Sequence, residues 1–147
     1  MYKTGGFTVY GDHEEDPGGL SILIRPHTPS YAWWSEATAN VLKAMHNLPI
    51  KGASVLDLGC GGSVILGLAA KALGASEVVA VEDQPERLKT AIQQVGDRGI
   101  EVLKLVPSER KFDILLVNIG DEDFVKRLMN HTPHGVGTDV EGKLLKW

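Results

Sequence analysis

Ser54-Val55-Leu56-Asp57-Leu58-Gly59-Cys60-Gly61-Gly62-Ser63 is an apolar run of strand length that breaks into a glycine turn. Residues 64–73 then carry small and apolar side chains at helical spacing. Glu77-Val78-Val79-Ala80-Val81 follows as a second β-prone run, with Glu82 at its carboxyl end. Strand, glycine turn, helix and strand make half of a nucleotide-binding βαβ unit. The second run is too continuously apolar for a strand with one wet face, which predicts a parallel sheet buried on both sides.

The glycines narrow the ligand. A chain that turns at a strand end and then passes close to a ligand needs residues without a Cβ, and Gly59, Gly61 and Gly62 supply them. The dinucleotide fingerprint G-x-G-x-x-G places a further glycine at position 64, where this chain has Val64. A pyrophosphate on the helix N-terminus is therefore disfavoured, and NAD with it. A carboxylate at Glu82 can accept hydrogen bonds from both hydroxyls of a ribose. Asp83 either faces the adenine edge or caps the helix that Pro85 begins.

Val55-Leu56-Asp57-Leu58-Gly59-Cys60-Gly61-Gly62-Ser63 resembles motif I of class I S-adenosylmethionine-dependent methyltransferases. His27-Thr28-Pro29, Leu73-Gly74-Ala75 and Phe112-Asp113-Ile114-Leu115-Leu116-Val117-Asn118-Ile119 are together similar to the ribosomal protein L11 methyltransferase group, over residues 24–129. The family pattern G-x-G-x-G has glycine at 63; here Ser63 stands there and the extra glycine is Gly62. The resemblance implies an α/β fold: a Rossmann-like, doubly wound, mostly parallel sheet, shortened at its C-terminal strands. It implies S-adenosylmethionine as cofactor and methyl transfer to a protein or small-molecule acceptor.

It also implies cofactor contacts from Asp57, Gly59, Cys60, Gly61, Gly62, Ser63, Glu82, Asp83 and Asn118. Asp57 either holds the methionine ammonium through a water or stiffens the loop. Asn118 takes the place of the family residue that ends its strand beside the methyl group, where an amide orients cofactor or nucleophile. Ile119-Gly120-Asp121 follows it, unlike the Asn-Pro-Pro-Tyr type motif of amino-group DNA methyltransferases, so base methylation of that type is not expected. Two alternatives stand beside the enzyme: a non-catalytic nucleoside-binding protein, and a fragment of a longer methyltransferase.

The chain has 147 residues, which predicts one domain: an N-terminal hairpin region over 1–27 and a core over 28–147. Hydrophobic residues at 43% and charged residues at 23% are those of a globular protein, and no apolar run reaches the length of a membrane span. A net charge of −4 offers no field to gather a phosphate backbone, so a nucleic acid partner is disfavoured. With the single Cys60 no internal disulfide forms, and no signal peptide pattern opens the chain, which makes the cytoplasm the default compartment. Inside the glycine turn, Cys60 reads as a buried thiol rather than a nucleophile.

Residues 6–10 and 20–24 are β-prone runs across an acidic, glycine-rich loop, which predicts a hairpin. The loop acids Asp12, Glu14, Glu15 and Asp16, with His13, are adjacent in sequence and so poorly disposed to converge on a metal. Thr28-Pro29 predicts a helix start, with a helix over 30–47 and a core stripe of Trp34, Ala37, Val41, Ala44 or Met45, and Leu48. His27, Tyr31 and Trp33 lie off that stripe and are candidates to wall a substrate pocket, ordinary packing being the equal alternative for the aromatics.

Pro85 predicts a helix burying Leu88, Ile92 and Val95, followed by strands over 100–106 and 114–119. Asp121 reads as the cap of a further helix, and from His131 onward the chain reads as loop with a short strand over 143–147. His131 and His134 have no evident ligand partners. Four or five strands would leave the apolar 114–119 run or the 143–147 run unpaired, and a homo-oligomer is expected to cover it.

Overall fold

The computed structural model describes residues 1–117, 132–138 and 144–147. In chain order the elements are β1 (Tyr2–Thr4), β2 (Phe7–Gly11), β3 (Ser21–Ile24), a 3₁₀ turn (Ser30–Ala32), α1 (Glu36–Met45), β4 (Ser54–Leu58), α2 (Ile65–Ala72), β5 (Glu77–Val81), α3 (Pro85–Val95), β6 (Glu101–Leu103), β7 (Ile114–Val117), β8 (His134–Thr138) and β9 (Leu144–Lys146). The main sheet has the order β6-β5-β4-β7-β8-β9, parallel throughout except for the antiparallel pair β8/β9. This is the Rossmann-like α/β sheet that the sequence predicts, with β4 at the point where the strand order reverses.

Side chains of the central strands alternate between two faces, as a pleated strand requires. Val78, Ala80, Ile114 and Leu116 join a core with buried residues of α1, α2 and α3. Val79, Val81, Leu115 and Val117 point the other way, into a second cluster with Leu56, Leu58 and Phe112, to which no described helix contributes.

The N-terminal region differs from expectation. The hairpin is β1 with β2, pairing Thr4 with Phe7 across Gly5-Gly6, both at positive φ (55° and 83°) as a tight hairpin turn demands. β2 and β3, expected to form the hairpin, are parallel, Thr8 opposite Ser21 and Gly11 opposite Ile24. The acidic loop is long enough to run back along the sheet before the next strand starts. Its acids have local partners: Asp16 accepts from Gly18 N at 2.8 Å, Glu14 from Gly11 N at 3.0 Å, and Asp12 pairs with Arg25 at 3.7 Å.

The first helix begins later than the Thr28-Pro29 signal. Ser35 caps α1, its hydroxyl accepting from Thr38 N at 3.1 Å, and residues 30–32 form only the 3₁₀ turn. Trp34 therefore leaves the core stripe: it is exposed and donates to Tyr2 OH at 2.7 Å, while Thr38, Val41, Leu42, Ala44 and Met45 are buried. In α3 the buried residues are Ala91, Gln94 and Val95; Ile92 is exposed and Leu88 only partly covered. The strand after α3 is also shorter than the apolar run, ending at Leu103 with Leu105 and Val106 exposed.

The glycine-rich segment expected as loop contains β8, which pairs with β7 in parallel, Ile114 opposite His134 and Val117 opposite Gly137. Glycine at 135 is required by packing, since a Cβ there would clash with Cζ2 and Cε2 of Trp147 and lie 2.8 Å from Leu115 O. With β4 on one side and β8 on the other, β7 has no bare edge; of the two runs expected to be unpaired, it is the C-terminal one, as β9, that lies at the edge of the sheet. The expected helix after Asp121, and His131, lie outside the described residues.

Candidate functional site

The rim at the carboxyl ends of β4 and β5 is where ligands enter open α/β sheets. A cavity of about 590 Å³ lies there, a volume ordinary for a small-molecule site. Its floor is the turn after β4, with Gly59, Cys60, Gly61 and Gly62 along the wall and Asp57 and Glu82 beside them.

Glu82 ties the rim together. Its side chain is buried, with Oε1 accepting from Gly61 N at 3.0 Å and Oε2 from Gln84 N at 3.0 Å. Each carboxylate oxygen has acceptor capacity for more than one donor, so both retain room for a ligand hydroxyl. Gly59 and Gly61 adopt positive φ (72° and 65°), which turns the loop without a side chain projecting over the cavity. Gly62 is required by close packing instead: a Cβ there would meet Thr90 Cγ2 of α3 at 2.9 Å.

Two amides at the N-terminus of α2 are satisfied from within. Asp57 Oδ2 accepts from Gly67 N at 2.9 Å, and Ser63 Oγ accepts from Ile65 N at 3.3 Å. These are two of the amides that have no partner inside their own helix. A bound anion at this helix end would have to compete with a carboxylate for them. Gly67 allows the fit, since a Cβ would press on Val64, Asp57 and Val78 at 3.1–3.3 Å.

Val64, at the fingerprint position that lacks its glycine, holds the left-handed conformation (φ 50°, ψ 33°) as the N-cap of α2. That conformation costs a β-branched residue about 1–3 kcal/mol. Full burial of the valine side chain contributes about 1.5–3 kcal/mol and offsets it.

Burial raises the Asp57 carboxyl from 3.8 to about 7, against the Gly67 amide, which lowers it, and with a smaller upward push from Glu82. Burial, then the nearby Asp57 and Glu82 charges, hold the Cys60 thiol far above the ordinary range, and its Sγ donates to Gly61 O at 3.4 Å. Cys60 is thus protonated and unreactive, a wall residue.

The cavity gathers most of the residues singled out in the sequence. His27 and Tyr31 stand at its mouth, Tyr31 with 85% of its surface exposed. Ser63 is fully buried behind the wall and donates to Ala32 O at 3.0 Å. Asp83 is exposed and not part of the lining. Trp33 faces a smaller cavity, edge-on to Tyr2 at 5.8 Å. Asn118 lies outside the described residues.

Sequence reasoning missed Thr38, Glu86, Arg87 and Thr90, which also line the large cavity. Thr38 had a signal, being a polar residue inside the apolar face of α1. The others follow from Glu82: a ligand at that strand end faces the first turns of the next helix. Among the described residues no group of three or more His, Cys, Asp or Glu side chains is placed to hold a metal, and no helix is long and apolar enough to cross a membrane.

Residues 35–138 match the family described as Ribosomal protein L11 methyltransferase (PrmA). The ribosomal protein L11 methyltransferase of Thermosipho melanesiensis is 41% identical over 130 residues, covering 84% of this chain and 49% of that protein. The one of Marinobacter nauticus is 34% identical over 110 residues, covering 71% and 37%. The chain spans about half the length, or less, of these curated relatives. The crystal structure of a ribosomal protein L11 methylase from Lactobacillus delbrueckii subsp. bulgaricus shares the fold, with a TM-score of 0.69 at 20% identity over 89% of this chain and 75% of that one. An S-adenosylmethionine dependent methyltransferase from Mesorhizobium loti matches with a TM-score of 0.52 at 28% identity, over 70% of this chain and 53% of its own.

Proposed function

Because the chain belongs to the ribosomal protein L11 methyltransferase family, we propose that its large cavity takes S-adenosylmethionine and that the protein transfers the methyl group to a nucleophile on an acceptor protein. The observation that carries this reading is the buried Glu82 carboxylate fastened to the glycine turn at the mouth of the β4/β5 rim.

The residues present fit an S-adenosyl group better than a dinucleotide. Glu82 and Glu86 outnumber Arg87 among the charged wall residues, and Asp57 joins them when it ionises, which favours a cationic ligand. Two of the α2 amides that would seat a pyrophosphate, those of Ile65 and Gly67, are held by Ser63 and Asp57.

In this reading Glu82 accepts both ribose hydroxyls, and the side-chain-free turn at Gly59 and Gly61 lets the backbone approach the nucleoside. Asp57, with its carboxyl near neutrality, gains a reason to ionise beside an ammonium. His27 and Tyr31 shape the mouth through which the acceptor enters, and Asn118, next after β7 in sequence, positions the reacting groups. The cofactor brings an already activated methyl group on its sulfonium. What the chain must supply is alignment of the nucleophile with that methyl, together with exclusion of water.

The relatives' names direct the acceptor search to ribosomal protein L11. Incubation with methyl-labelled S-adenosylmethionine and purified L11 should label L11, and the label should disappear without the enzyme. Tight cofactor binding with no label passed to L11 or to other ribosomal proteins would reduce the protein to a cofactor-binding module.

A further inference from the structure

A single segment, residues 25–33, separates the two cavities. His27, Tyr31 and Ala32 line the large one, while Thr28, Ser30 and Trp33 line a smaller one of about 330 Å³ beside the N-terminal sheet. The position of this strap sets the width of both. Its own regular structure is one 3₁₀ turn with no side-chain cap, so the strap depends on ties to its neighbours.

One tie is Ser63 to Ala32. Another is Gln94, in the last turn of α3 and fully buried. Its Oε1 accepts from Arg25 N at 2.9 Å and from Thr28 Oγ1 at 3.1 Å, and its Nε2 donates to Leu23 O at 3.1 Å. A buried amide is costly unless it is hydrogen-bonded, and a leucine or methionine would fill the same helical position without that demand. All three bonds run to the end of β3 and the start of the strap, none to the helix that carries the residue. The same helix sends Glu86, Arg87 and Thr90 into the cavity. Gln94 thus fixes the distance between two walls of the site without lining it.

We propose that Gln94 is a positioning residue for the cofactor site, acting through the strap of residues 25–33. The inference rests on reading the large cavity as an S-adenosyl site. It explains why α3 buries Gln94 while leaving Ile92 exposed.

The test compares three variants of the full chain, each at a temperature where it is completely folded. Gln94→Met keeps the length of the side chain and removes its hydrogen bonds; Leu23 O retains Arg98 as donor at 2.7 Å, so the loss falls on Arg25 and Thr28. Thr28→Val removes one partner. Val95→Ala weakens the adjacent, core-facing position and leaves the hydrogen bonds of Gln94 to Arg25 and Thr28 in place. Calorimetry with S-adenosylhomocysteine should show Gln94→Met binding about tenfold more weakly, the loss of a hydrogen bond or slightly more. Thr28→Val should lose less, and the double variant less than the sum of the two. Hydrogen exchange should quicken across residues 25–33 in Gln94→Met and stay unchanged in β4 and β5. Val95→Ala should lose stability and keep its affinity.

Wild-type affinity and protection in Gln94→Met, or an equal loss of affinity in Val95→Ala, would overturn the proposal. If the wild-type protein takes up no S-adenosylhomocysteine, the reading of the cavity fails on its own. The exchange data then decide the clamp separately: quicker exchange of residues 25–33 upholds it, and unchanged exchange overturns it.

Discussion

Glu82 Oε1 accepts the amide hydrogen of Gly61 at 3.0 Å, so the acid at the end of β5 and the turn after β4 form one hydrogen-bonded unit. A side chain that braces the glycine turn through one oxygen and Gln84 N through the other serves the fold and the ligand together.

Glu82→Ala should accordingly lower both quantities. Two amides lose their acceptor, and stability should fall by about 1–3 kcal/mol in urea titrations. Affinity for S-adenosylhomocysteine, measured by calorimetry on the folded protein, should fall by about 1.5–3 kcal/mol, the scale of hydrogen bonds to a charged acceptor. Lost stability with unchanged affinity would make Glu82 a brace alone.

The contact between the glycine turn and α3 gives a rescue experiment. Gly62→Ala brings a Cβ to 2.9 Å from Thr90 Cγ2 and should destabilise by about 1–3 kcal/mol. Thr90→Ala in the same chain removes the clashing methyl and should recover most of that loss in thermal melts. A double variant no more stable than Gly62→Ala would place the strain elsewhere.

Asp57 predicts a pH dependence of definite sign. The unfolded carboxyl loses its proton near 3.8, whereas the folded one holds it to about 7. Between those values the folded state binds more protons, so this group's contribution to stability falls as pH rises through the window. Asp16, lowered chiefly by the Gly18 amide, acts in the opposite sense, its contribution being lost as pH falls below the ordinary carboxylate value. Asp57→Asn keeps an oxygen for the Gly67 amide and has no proton to lose. Its Tm relative to wild type should rise from about pH 4 to about pH 8, and a constant difference across that range would contradict the assignment.

The parts legible in the sequence were those with a local cause. The βαβ unit announced itself through an apolar run, a glycine turn and a second run ending in acid, and the cavity lies where the rule for open sheets puts it. The parts that were not legible have distant causes. Gly135 looks like loop until Trp147 is seen lying over it. The strap carries a proline signal for helix, but Gln94, sixty-nine residues from Arg25, holds its first part in a turn that Thr28 N closes on Arg25 O. Ile92 fits the apolar spacing of α3, yet the helix turns Gln94 inward because strap and β3 need its amide. Likewise β2 and β3 have the composition of a hairpin, and only their pairing shows them parallel.

The most direct test of the account is a pair of calorimetric titrations of the wild-type protein, one with S-adenosylhomocysteine and one with NAD. With Glu82 on the rim and two of the α2 amides held by Asp57 and Ser63, S-adenosylhomocysteine should bind at least about tenfold more tightly than NAD, a difference of about 1.4 kcal/mol. NAD binding as tightly or more tightly would contradict the assignment of the cavity.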